Sequence, residues 1–77
     1  MPLLARPAHV LDCRGMPRPP LALAAQAMQR LQPGQVLLVL TEPGFVAQLR
    51  RWAVRAGHSL VDADQYGEDF HVLLCRL

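Results

Sequence analysis

The chain contains no lysine; all eight of its basic side chains are arginine. We read this as codon usage, because arginine stands even where any flexible surface charge would serve. Against six acidic residues the arginines leave a net charge of +2. That is too small and too scattered to mark a nucleic-acid surface by itself. Aromatic residues are also few, at 5%. With phosphate contacts needing clustered positive charge, the chain is a poor candidate for nucleic-acid binding. Cysteine is scarce: Cys13 and Cys75 are too few for a disulfide framework, and they pair only if neighbouring strands bring them together with suitable geometry. His9, His58 and His71 lie far apart and make no zinc spacing with the cysteines, so no metal and no cofactor is expected. No purely apolar run exceeds five residues (Val36–Leu40), far below a membrane span, and no long apolar region of a signal peptide opens the chain. The expectation is a cytoplasmic protein with reduced thiols and no membrane contact. Gly-x-Ser-x-Gly, a phosphate loop and carboxylates at acid–base spacing are missing as well.

What is present suits one small domain. The 77 residues are 52% hydrophobic, ample for a core. Residues 1–8 carry two prolines and no period, and are expected to form a flexible N-terminal arm; residues 9–77 form the domain. His9–Cys13 reads as a short strand, with Leu11 and Cys13 on one face and Val10 and Asp12 on the other. Pro19 and Pro20 open a helix, where proline fits the first turn. Leu21, Ala25, Met28 and Leu31 make its apolar stripe, and Pro33-Gly34 ends it. Val36–Leu40 suits a central strand. A second helix is expected over Phe45–Ala56, with Phe45, Leu49, Trp52, Ala53 and Ala56 inward, Gln48, Arg50, Arg51 and Arg55 mostly outward, and Gly57 as its stop. Ser59–Asp64 and Phe70–Leu77 read as a hairpin around Tyr66–Asp69, with Asp62, Asp64, Glu68 and Asp69 as its solvated end. The order β-α-β-α-β-β predicts an α+β fold: a two-layer sandwich in which two helices cover one face of a four-stranded mixed sheet. The other face is left partly exposed, with Asp12 and residues of the last two strands on it. A monomer or weak dimer fits this surface.

The stretch Asp12–Leu21 stands apart. Three prolines, a glycine, two arginines and Cys13 fall within it. Leu11-Asp12-Cys13-Arg14-Gly15-Met16-Pro17-Arg18-Pro19-Pro20-Leu21 aligns without a gap to Leu-Asp-x-x-Gly-x-x-Cys-Pro-x-Pro. That motif belongs to the small sulfur carriers of the TusA/SirA type, which this chain resembles over roughly Val10–Leu77. Leu31–Gln35 and Gly57-His58 are similar to the family's helix-to-strand turn and Gly-His step. The resemblance implies the same β-α-β-α-β-β sandwich. It also implies sulfur-relay partners such as a cysteine desulfurase, which loads a persulfide onto the motif cysteine. That cysteine falls at Arg18, the second motif proline at Leu21, and the usual Asp-Pro after the second strand is Glu42-Pro43. The resemblance therefore implies a divergent member in which the standard carrier mechanism cannot run at position 18.

Several readings of the turn stand side by side. A helix N-terminus favours a thiolate; Arg18 inverts that logic, and either points into water, flanks an anion site together with Arg14, or meets an acidic partner. In the anion reading Pro17, Pro19 and Pro20 remove three backbone donors, so the guanidinium groups carry the binding. Asp12, Arg14, Arg18 and Pro19 are the candidate binding residues. Cys13 is either an inert packing cysteine or, if exposed at the strand end beside Arg14, a substitute catalytic thiol. Cys75 and Trp52 are read as packing, and His58 as a helix-end residue near the dipole. Three functions follow: a sulfur-relay protein acting by protein contact, a non-catalytic module docking Arg14, Arg18, Arg50, Arg51 and Arg55 on an acidic protein or small anion, and a nucleic-acid binder. The last rests on a resemblance of the fold to the C-terminal domain of a translation initiation factor, and fold analogy is weak evidence of function.

Overall fold

The computed structural model describes residues 6–77. The elements run β1 (His9–Asp12), α1 (Leu21–Arg30), β2 (Val36–Thr41), a 3-10 turn (Pro43–Phe45), α2 (Val46–Ala56), β3 (Ser59–Tyr66) and β4 (Asp69–Cys75). They build the expected α+β fold, with the strands ordered β1-β2-β4-β3. β1 and β2 are parallel; β4 is antiparallel to both β2 and β3. Both helices pack on the same face. Of the expected arm, residues 1–5 lie outside the described residues, and Ala8 already donates its N–H to Val36 O at 2.8 Å, extending the β1–β2 ladder.

Strand alternation decides which side chains are buried. Leu37 and Val39 of β2 and Val72 and Leu74 of β4 point to the helices and are fully buried. Against them lie Ala24, Ala27, Met28 and Leu31 at the end of α1, Leu49 and Ala53 of α2, and Cys13. Fully burying one of the large residues stabilises the fold by roughly 1.5–3 kcal/mol. The alanines let both helices sit close to the sheet. This corrects the stripe expected on α1. The helix starts at Leu21, not at the prolines, and the buried face runs Pro20, Ala24, Ala27, Met28 and Leu31. Leu21 and Ala25 are only partly buried, because the face is rotated by about one residue.

The connections follow local chemistry. Gly57, at φ 80°, ends α2 in the left-handed region that favours glycine. The His58 N–H then reaches back to Ala53 O at 2.8 Å. Ala56 is exposed, so the inward stripe of α2 ends at Ala53. The hairpin is longer and tighter than the sequence suggested. Tyr66 pairs with Asp69 across the two-residue turn Gly67-Glu68, with Gly67 at φ 63°. That is the position where two-residue hairpin turns call for glycine. A register shift between Leu60 and Asp62 sets Leu60 against Leu74 on the core side and Asp62 against Leu73 on the other. One extra residue, Val61, thus places the acidic residues of β3 on the uncovered face.

Candidate functional site

The turn between β1 and α1 starts from a strand that is held to its end. The Cys13 N–H donates to Leu40 O at 2.8 Å, one residue beyond β1. Alternation turns Cys13 to the helix side, where it is 0% exposed. Burial, followed by the nearby Asp12 charge, pushes its thiol pKa up. Both effects disfavour the thiolate that nucleophilic sulfur chemistry needs. The exposure on which a catalytic Cys13 depends is absent. Cys75 is free as well and only partly buried. It ends β4 beside Val36, while Cys13 follows the opposite end of β1, with β2 between the two strands. The two cysteines are therefore not neighbours.

Asp12 and Arg14 form the ordered part of the turn. Arg14 Nε donates to Asp12 Oδ1 at 2.9 Å and its Nη2 to Oδ2 at 2.8 Å, a two-pronged contact suited to guanidinium and carboxylate. The Arg14 backbone N–H also donates to Asp12 Oδ1, at 3.2 Å. Arg14 Nη1 reaches Asp69 Oδ2 at 3.3 Å. The side-chain bonds from Arg14, then its backbone N–H, hold the Asp12 carboxyl down at about 2. Asp12 first, and then Asp69, push the Arg14 pKa upward. Asp69 is thus not merely part of a solvated hairpin end. The β2–β4 pairing sets it beside the end of β1, a juxtaposition that spacing along the chain does not reveal.

Arg18 differs. It is exposed, and among the described residues it makes no side-chain hydrogen bond or ion pair. The two arginines expected to flank an anion are therefore unlike: one is neutralised by two carboxylates and one is open to solvent. The prolines also act differently from expectation. Pro20 is the N-cap of α1 with φ −82° and ψ 49°, and the Leu21 N–H donates to Pro19 O at 2.9 Å across it. This is a tight inverse turn that aims the chain into the helix. Since the prolines precede the helix, they remove no N–H from its first turn, and no side chain caps those donors.

The other end of α1 holds a residue the sequence reading passed over. Arg76 Nη1 donates to Met28 O at 3.0 Å, to Gln29 O at 3.1 Å and to Leu31 O. It satisfies carbonyls that the last helical turn leaves open. Its only sequence signal is a cation near the end of the chain, far from α1. Trp52 packs at the core's margin, partly buried. Its ring centroid lies 5.6 Å from that of His58. Burial, followed by the Arg76 charge, pushes the His58 pKa down, against the upward effect that a helix C-terminus alone would exert.

Beyond this turn, Arg51 and Arg55 line a cavity of about 290 Å³ with Leu21, Gln48 and Trp52, between the start of α1 and the exposed side of α2. No group of three or more His, Cys, Asp and Glu among the described residues is arranged to hold a metal ion. No helix among them is long and apolar enough to cross a membrane. Among curated proteins, none matches the chain. A family model does: the one described as Sulfurtransferase TusA matches residues 9–76.

Proposed function

Because the chain belongs to the sulfurtransferase TusA family, we propose that it serves sulfur relay or its regulation by docking on partner proteins, not by carrying sulfur at the family's usual position. The observation that carries this reading is Arg18: an exposed cation, unpaired among the described residues, stands three residues before α1, where the family motif has its thiol. A persulfide needs a sulfur atom there, and a guanidinium supplies none. Burial of Cys13 supports the same reading. The partners we propose are a cysteine desulfurase or other relay proteins, and the setting is cytoplasmic.

Intact-mass spectrometry after incubation with a cysteine desulfurase and free cysteine tests the proposal. The expected result is no added sulfur on the wild type and one reducible sulfur on Arg18→Cys. Sulfur gained by the wild type and lost in Cys13→Ser would overturn it and make the chain a carrier with a relocated thiol.

A second reading, a non-catalytic module for an acidic protein or small anion, draws on Arg18, Arg50, Arg51 and Arg55. These are exposed and make no ion pair among the described residues. Thiol titration of the native protein separates both readings from carrier chemistry: if neither cysteine reacts, the carrier reading fails and no thiol chemistry remains.

A further inference from the structure

The uncovered face of the sheet differs chemically from the helix layer behind it. Val10 pairs with Leu38, and Leu38 with Leu73, so aliphatic side chains cross three strands side by side. Val10 is 50% exposed, and both leucines are partly buried. The acidic residues stand at the margins: Asp12 on β1, and Asp62 and Asp64 on β3. A cavity of about 370 Å³ opens here, lined by Leu38 and Leu73 together with Asp62, Asp64, Tyr66 and His71. Five of the six acidic residues lie on this face or in its hairpin turn, Glu42 being the exception; Arg14 pairs with two of them, Asp12 and Asp69, and leaves Asp62, Asp64 and Glu68 without an ion pair among the described residues. Arg18, Arg30, Arg50, Arg51 and Arg55 belong to the helices and the turn before them, and all are exposed. The chain's own Arg6 lines the same cavity beside Asp62 and Asp64, so the surface accommodates a guanidinium.

We propose that the open sheet face is a second docking surface, for a protein segment presenting aliphatic side chains flanked by arginine or lysine. An apolar centre within a polar rim is the anatomy of a protein interface. The sign of the rim selects the partner and speeds encounter. A second copy laid face to face fits poorly, because acidic margin would meet acidic margin. A second copy's helix layer brings arginines, but among the described residues its large exposed aliphatic side chains are just Leu23 and Val54. Such a head-to-tail contact also leaves both ends unsatisfied unless it closes into a ring. The two faces together make the protein a bridge, taking an acidic partner on the helices and a basic one on the sheet. The surface is independent of any thiol, so it stands or falls apart from the relay reading.

The test is amide-detected NMR titration of the full chain with two blocked peptides, one alternating Arg and Leu and the other Glu and Leu. The Arg–Leu peptide is expected to shift Leu38, His71 and Leu73, with affinity falling as salt rises; the Glu–Leu peptide is expected to leave them unmoved. Replacing Asp62→Asn and Asp64→Asn together should weaken the Arg–Leu peptide by about tenfold. Leu73→Ala should weaken it too, while resonances of α1 and α2 stay in place and report an intact fold. Shifts confined to the helices, equal binding of both peptides, or unchanged affinity in both variants would overturn the proposal. So would concentration-dependent shifts of the same sheet residues in the free protein, which would assign the face to self-association.

Discussion

The two ends of α1 are built on opposite plans. At its C-terminus Arg76 reaches back from the end of the chain and ties three carbonyls with one nitrogen. At its N-terminus no side chain caps the first turn, and the nearest cation, Arg18, lies open to solvent. One end is closed by a long-range contact that favours the helix dipole; the other carries a charge of the wrong sign for it. The difference teaches where the fold invests its stability. The closed end belongs to the scaffold, and the open end is where the proposed partner would dock.

Four measurements would break or sharpen that contrast. The largest effect is expected from Arg76→Ala, which removes the side-chain donor from Gln29 O and Leu31 O at the end of α1 and leaves Met28 O with the Leu31 N–H. Denaturant unfolding should show a loss of about 1–3 kcal/mol. Arg18→Asp should do the reverse on a smaller scale, raising stability by roughly 0.3–1 kcal/mol, because an anion suits a helix N-terminus. If Arg18→Asp destabilised the protein, the open end would not be open. Two pH effects are smaller, since the groups are exposed or only partly buried and solvent screens them. The Asp12 pKa drops from 3.8 to about 2 on folding. The unfolded chain therefore takes up its proton first, and stability present above about pH 4 is lost as pH falls towards about 2. Asp12→Asn should flatten that acid limb in a pH series of melting temperatures. The His58 pKa is pushed below its ordinary 6.5. Its contribution is therefore present above pH 6.5 and declines below it, as the unfolded chain binds the proton more readily. His58→Gln should remove that decline, and the same substitution should leave the Asp12 limb unchanged.

Most of the fold was legible because its signals are local. Period two in β1 placed Cys13 with Leu11 on the inward face, and the structure buries it. The apolar run Val36–Leu40 marked a central strand, and β2 does lie between β1 and β4. Gly57 marked the end of α2. What could not be read involves partners distant in sequence. The rotation of α1 depends on how closely Ala24 and Ala27 approach the sheet, and several rotations of so alanine-rich a helix are equally amphipathic. The Arg14–Asp69 contact exists only because β2 pairs with β4. The role of Arg76 needs the last strand to finish beside the end of α1. The turn itself stood out in the sequence as the unusual stretch, and the departure at Arg18 is what the resemblance to the family motif implies. The full neutralisation of Arg14 was not legible, since its second carboxylate, after Asp12, comes from Asp69 of the hairpin.

The strand order also constrains how the molecule comes into being. β4 is the last of the four strands in chain order, yet it lies inside the sheet, between β2 and β3. During synthesis β1, α1 and β2 can associate early, but their apolar inner face has no complete cover until β4 emerges and the hairpin closes. Domains fold as units, and surface left exposed on the way invites aggregation. The tight Gly67 turn counters this, because a short hairpin forms in about 1–10 μs. Formed that fast, the β3–β4 hairpin can dock on β2 as a unit, which completes the sheet.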